Sequence, residues 1–147
     1  MLAVGVLVMT VAANNGNLPF MPRGIRNNNP GNIRWDGKTQ WQGMTGQDDK
    51  GFIKFRTMAH GIRAMSKVLD SYARRGVDTI ESVIATWAPA IENNVEAYVR
   101  SVEQQTGLSR HKVLTAADRP ALVAAIIKHE NGKTISEAMI ERGLAMA

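Results

Sequence analysis

No cysteine occurs anywhere in the 147 residues, which excludes a disulfide framework and thiol chemistry. There are three histidines. His60, His111 and His129 share no spacing pattern, and no Cys/His cluster of the kind that holds zinc is present. No cofactor is expected. No apolar run is long enough to span a bilayer as a helix, and no internal repeat is visible. No helical stretch carries a clustered Lys/Arg face, so nucleic acid is not an expected partner.

What is present describes a folded chain. An apolar fraction of 44% and a charged fraction of 21% are ordinary for a globular domain, and 147 residues suffice for one real core. The net charge is +5, with a pI near 9.9. That balance favours an anionic partner such as a membrane surface or an acidic glycan of the bacterial wall. The basic residues are spread along the chain, so the charge also has a simple reading as solubility.

The N-terminal stretch "LAVGVLVMTVAA" (Leu2 to Ala13) is short, apolar and uncharged. Three readings are open: an export signal ending at the small-x-small pair Val11 and Ala13, a membrane-seeking segment, or a buried element. No Lys or Arg precedes it. "NNGNLPFMP" (Asn14 to Pro22) reads as a linker. The chain therefore divides into residues 1–22 and a domain over 23–147.

Within the domain, "RGIRNNNPGNIRW" (Arg23 to Trp35) is a loop, because helices and strands avoid so many asparagines and glycines. "RWDGKTQWQG" (Arg34 to Gly43) and "DDKGFIKFRT" (Asp48 to Thr57) follow. A turn over Asp48 to Gly51 and a strand over Phe52 to Phe55 predict a small β-hairpin.

Everything later has helical periodicity. Helices are expected over Ala59 to Arg75, from a cap at Asp78 to Pro89, and from a cap at Asn93 to Gly107. A short turn is expected over Ser109 to Leu114. A strong helix follows over Ala121 to about His129, then a last helix from a cap at Thr134 towards Leu144. The fold class is mainly α, with a small hairpin near the N-terminus (α+β).

Glu130 breaks the apolar pattern. It continues the stripe made by Val123, Ile126 and Ile127, while Lys128 points away. Asn131 and Gly132 then end the helix. Burial beside aliphatic side chains and the negative end of the helix both disfavour a charged carboxylate there. A carboxyl kept protonated in this way is what a general acid requires. The alternative is a frayed end, with Glu130 turned outwards to Lys133 or Lys128.

Other polar candidates also have two readings. Glu92 is a second site carboxylate or an ordinary acid ahead of a helix. Trp35, Trp41 and Trp87 stack on sugars or fill a core. Tyr98 reaches a cleft or packs with Val95 and Val102.

Taken together, "RGIRNNNPGNIRW", "W-x-G" (Trp41 to Gly43), "F-x-x-F" (Phe52 to Phe55), "GIRAM" (Gly61 to Met65), "WAP-x-x-EN" (Trp87 to Asn93) and "IIKHENG" (Ile126 to Gly132) resemble a family of phage and prophage proteins. The resemblance covers about Arg23 to the C-terminus. "AIIKHENG" also looks like the catalytic-glutamate helix of lytic transglycosylases in the lysozyme-like superfamily. "NNPGNIR" looks like their cleft loop, and "ENNVEAYVRSV" (Glu92 to Val102) is similar to their Tyr-Val-x-x-Val helix. Here the loop comes first and the glutamate helix last, as in a circular permutation.

That resemblance implies a lysozyme-like domain cleaving the MurNAc–GlcNAc β-1,4 bond of peptidoglycan, with Glu130 as the one catalytic acid. It implies a cleft lined by Asn29, Gly31, Asn32, Arg34, Trp41, Trp87, Glu92 and Tyr98. Asn29 and Asn32 would bond N-acetyl and hydroxyl groups, and Gly31 would let the sugar approach the backbone. The expected partner is a glycan strand, with the virion or a membrane as a further partner through residues 1–22. The expected place is the virion or the host periplasm and wall. The other reading of the same scaffold is a non-catalytic virion or wall-binding protein. The permutation requires that residues 29–32 and Glu130 share a cleft; the non-catalytic reading puts Glu130 in an ordinary exposed salt bridge.

Overall fold

The computed structural model describes residues 21–88 and 94–147. The whole apolar N-terminal segment, together with Glu92 and Asn93, lies outside those residues. Among the described residues no helix is long and apolar enough to cross a membrane.

Helix α5 (Arg119–Asn131) is the element the others wrap. It buries Leu122, Val123, Ala125, Ile126 and Ile127, positions that fall on more than one face and therefore need neighbours on more than one side. Pro120 in its first turn has the φ a helix wants and lacks only an N–H that would have had no partner. At the other end Gly132 takes the left-handed conformation, with φ 68°, and its N–H closes on the Lys128 carbonyl.

Around α5 stand α2 (Met58–Arg74), α4 (Val95–Thr106) and α6 (Glu137–Ala145), with α3 (Ile80–Trp87) packed on α4. Their apolar faces, including Ile62, Met65, Ile84, Tyr98, Val102 and Ile140, form one core with the α5 residues. Each fully buried aliphatic side chain there contributes about 1.5–3 kcal/mol.

The hairpin is present. β1 (Met44–Gln47) runs antiparallel to β2 (Ile53–Phe55), with a bulge between Met44 and Gly46. Its first strand lies after the Trp41 to Gly43 motif and not in the stretch before it. In β2, Ile53 and Phe55 point inwards and Lys54 outwards, as a strand with one buried face requires. The far edge of β2 is covered by the opening loop: the Ile53 N–H donates to the Ile33 carbonyl at 3.0 Å, and the Phe55 N–H to that of Asn27 at 2.8 Å.

Three helix starts fall later than the spacing predicts. Thr79 caps α3 in a reciprocal pair with Ser82, Asn94 caps α4 by accepting from the Ala97 N–H, and Ser136 caps α6 by accepting from that of Met139. Each expected cap has a second cap-competent residue within two positions, so local pattern could not choose between them. The expected helical turn over Ser109 to Leu114 is irregular instead. Arg110 pins it with a two-pronged bond to Glu96, at 2.8 and 2.9 Å, and further bonds to Glu103. A 3-10 turn (Ala116–Asp118) then leads into α5.

Asp48 does more than make the expected turn. Its carboxylate accepts from Arg23, from the Asn27 amide and from the Lys50 and Phe52 N–H groups, fastening a short helical turn, α1 (Arg23–Arg26), to the hairpin. Burial by itself would push this carboxyl up. The Asn27 amide, the Lys50 N–H, Arg23 and the Phe52 N–H together outweigh it and hold the group far below the usual carboxylate range. The stabilisation is therefore present above the unfolded-state value near 3.8 and is lost as pH falls below it, towards the lower folded-state value. Acid unfolding of Asp48→Asn, followed by circular dichroism, should show lower stability at pH 7 and a shallower loss below pH ~4 than the parent. Equal slopes for the two proteins would remove Asp48 from this role.

The loop sits directly on α2. A Cβ built on Gly61 would lie 2.0 Å from the Asn28 carbonyl oxygen and 2.8 Å from the Pro30 ring. Gly61→Ala should therefore lower stability by about 1–3 kcal/mol in thermal melts, as overpacking against backbone does. An unchanged melting temperature would mean that the loop is not seated there.

Candidate active site

Two segments that are 98 residues apart in the chain meet at Glu130. The first is the opening loop. After α1, Asn28 and Asn32 adopt positive φ of 53° and 51°, a region asparagine tolerates better than other side-chain-bearing residues. The second is the last turn of α5, where Glu130 is half-buried and Asn131 is buried.

The four asparagines of the loop divide the work unequally. Asn27 holds Asp48 at 3.0 Å. Asn28 donates to the Phe55 and Arg56 carbonyls. Asn29 has no exposed surface. Its amide donates to the Ile33 and Ile53 carbonyls, both at 2.9 Å, and its oxygen accepts from the Ile33 N–H at 3.0 Å. Only Asn32 turns to the acid, donating from Nδ2 to Glu130 Oε1 at 2.8 Å.

The other carboxylate oxygen, Oε2, accepts from the Tyr98 hydroxyl at 2.8 Å. The Tyr98 ring stacks on His129, with centroids 3.7 Å apart and planes 25° from parallel. Burial pushes the Tyr98 hydroxyl up, and the negative charge and hydrogen bond of Glu130 push it the same way. It therefore remains an O–H across the working pH range. Burial draws His129 down, opposed by the charge of Glu130.

The adjoining Asn131 locks helix to loop. Its amide donates to the Pro30 carbonyl at 2.8 Å and to the Ile127 carbonyl at 2.9 Å. The oxygens of Asn131 and Asn32 are buried without a hydrogen-bond partner. Both point at Gly24, where a Cβ would lie 2.5 Å from the first and 3.0 Å from the second. Only a glycine leaves room for the two amides to converge.

Glu130 opens into a cleft of about 440 Å³, lined also by Gly31, Asn32, Ile33, Arg34, Phe52, Val68, Tyr72, Thr86, Trp87 and Ala88. This volume falls within the usual range for a small-molecule site. Among the described lining residues Glu130 is the one carboxylate.

Of the residues expected to form a cleft, the structure brings Glu130, Gly31, Asn32, Arg34 and Trp87 to its wall, with Tyr98 bonded to Glu130. Gly31 has a different reason from the expected one. A Cβ there would strike the Trp87 ring at 2.7 Å and Met65 at 2.8 Å, so its small size serves packing. The Trp87 Nε1–H donates to the Gly31 carbonyl at 3.1 Å. The Arg34 guanidinium lies over the Phe52 ring at 4.2 Å and donates to the Lys50 carbonyl.

Two expectations are corrected. Asn29 cannot contact a ligand, because it is sealed from solvent and its amide is committed to backbone groups. Trp41 packs with Ile53, Phe55 and Ala64 under the hairpin and does not line the cleft; Trp35 belongs to the same cluster. Glu92 lies outside the described residues.

Sequence reasoning missed Tyr72, Phe52, Val68 and Thr86 as lining residues, and Asn131 and Gly24 as positioning ones. Tyr72 was hidden by its helical spacing with Ile62, Met65 and Leu69, which reads as core. Asn131 reads in the sequence as a helix terminator.

No known family model matches the chain. Over 114 residues it is 45% identical to Protein P5 of Pseudoalteromonas phage PM2, a match covering 75% of this chain and 71% of that protein.

The seating of the loop on α5 can be tested without any assay of activity. Asn131→Ala leaves the buried Pro30 carbonyl without its donor and should cost about 1–3 kcal/mol in urea unfolding. It should also speed hydrogen exchange at the Asn32 and Ile33 amides. Unchanged exchange at those positions would show that Asn131 does not hold the loop.

Proposed function

Starting from a chain that belongs to the family of Protein P5 of phage PM2, we propose that it is a peptidoglycan-cleaving glycosidase acting on the MurNAc–GlcNAc β-1,4 bond. The observation that carries this reading is the convergence of Asn32 and the buried Tyr98 on Glu130, which opens into a cleft lined also by Phe52, Tyr72 and Trp87. Such a protein would act at the host cell wall, associated with the virion or exported.

In this reading Glu130 is the acid that delivers a proton to the glycosidic oxygen as the bond to the muramoyl C1 breaks. The transition state is oxocarbenium-like. Asn32 fixes one carboxyl oxygen. The Tyr98 hydroxyl, which can donate or accept, serves the other in either protonation state. The two keep the carboxyl plane aimed while its charge changes.

Among the described lining residues one carboxylate is at hand for the second step. Inverting glycosidases and those that retain through a covalent intermediate use a pair of carboxyl groups about 5–9.5 Å apart. With Glu130 as the one acid among the described lining residues, the acceptor is the substrate's own C6 hydroxyl. The Glu130 carboxylate removes its proton as O6 bonds to C1. This regenerates the acid and releases a 1,6-anhydromuramoyl end. The net positive charge suits an anionic wall polymer.

Glu130→Gln keeps the shape of the side chain and removes the transferable proton. It should lower the clearing of purified walls by at least ~100-fold, the scale of general acid catalysis, with the melting temperature little changed. Mass spectrometry of parent products should find anhydro ends. Clearing by the variant at the parent rate would refute the assignment. Walls that co-sediment with both proteins but release no sugar from either would make the chain a wall-binding virion protein on the same scaffold.

A further inference from the structure

Most polar side chains around the cleft are already committed. The Asn32 amide N–H is on Glu130, and its oxygen is buried against Gly24. The Trp87 N–H is on the Gly31 carbonyl, and the Thr86 hydroxyl donates to the Ser82 carbonyl at 2.8 Å. Arg34 is held over Phe52 and on Lys50. Tyr72 differs from these. It lines the cleft, and among the described residues no group bonds its hydroxyl.

The ring carrying that hydroxyl is fixed. Trp87 meets it edge-on, with centroids 6.1 Å apart and planes at 81°. The Arg75 guanidinium lies 5.2 Å from its centroid. Burial raises the hydroxyl above the ordinary tyrosine value, against the opposing charge of Arg75, so it keeps its hydrogen. Val68 lines the same cleft one helical turn earlier on α2, on the same helix face. A fixed O–H donor beside an aliphatic side chain matches a group with an acceptor oxygen and a methyl on neighbouring atoms. A bare sugar hydroxyl would have no use for the aliphatic neighbour.

We propose that Tyr72 and Val68 form a subsite for an acetamido substituent of the glycan, with the Tyr72 hydroxyl donating to the amide carbonyl and Val68 covering the methyl. This rests on the sugar-cleft part of the proposed function and is independent of whether Glu130 is catalytic. It gives the cleft a selectivity for N-acetylated over de-N-acetylated strands.

The test is binding of an N-acetylglucosamine tetramer and of its de-N-acetylated counterpart to the full chain, by titration calorimetry. Tyr72→Phe should weaken binding of the acetylated tetramer about tenfold, as loss of one good hydrogen bond does. It should leave the deacetylated one within about twofold of the parent. Val68→Ala, which shortens the methyl wall, should show the same selectivity with a smaller loss. Equal losses on both tetramers, or no loss on either, would overturn the subsite even where the parent clears walls. Selective loss in a protein that clears no walls would keep the subsite and remove the glycosidase. A parent that binds neither tetramer would overturn the subsite together with the sugar cleft.

Discussion

A polar loop has been pressed into an apolar domain, and the Asn29 side chain makes that possible. A buried backbone group must find a partner or cost about 1–3 kcal/mol. The loop has too little regular structure to satisfy itself. Asn29, with no exposed surface, mimics a missing strand: it donates to the Ile33 and Ile53 carbonyls and accepts from the Ile33 N–H. With the loop closed on itself and joined to β2, Asn32 has a fixed place from which to reach Glu130. The residue that reads as a ligand contact is the one that lets Asn32 hold the acid.

The second support is steric. Gly24, Gly31 and Gly61 each stand where a Cβ would come within 2.8 Å of another part of the site. Between them they let the loop approach α5, Trp87 and α2. Left-handed backbone is the need at Gly132, which ends α5 directly after Asn131. This stop places Glu130 in the last helical turn, still on the core-facing side yet open to the cleft. One turn earlier it would be wholly buried among Ile126 and Ile127. One residue later it would occupy the place Asn131 needs for holding the Pro30 carbonyl.

Much of this was legible because helical periodicity is a property of short windows. The stripe through Val123, Ile126, Ile127 and Glu130 is visible in the letters, and so are the mainly helical fold and the hairpin turn. The phage family resemblance also matches the identity to Protein P5. Which asparagine faces the acid was not legible. Asn27, Asn28, Asn29 and Asn32 share one chemistry, and their roles are set by whichever backbone group lies nearest after folding. Tyr72 was illegible for the complementary reason. A tyrosine on a core-spaced face looks the same whether its hydroxyl ends in a core or in a cleft. Tandem cap residues such as Asp78 and Thr79 defeated the helix starts in the same way, since a choice between equals is made by tertiary contacts.

The order of the pieces along the chain then loses much of its weight. A site needs its groups within bonding distance and does not record the route of the backbone between them. The loop precedes the glutamate helix here, the reverse of the order in the transglycosylase segments it resembles. The Asn32 to Glu130 contact, at 2.8 Å, is indifferent to that order. What the contact does require is a rigid frame on both sides. The frame comes from Asn131 binding back to Pro30 and from Asp48 binding Arg23 and Asn27. These two anchors are distant from each other in sequence and flank the loop in space. A loop held at both ends by charged or buried amide bonds has little freedom left, so the carboxyl it touches is positioned before any ligand arrives. That preorganisation, more than any single motif, is what the proposed glycosidase would draw on.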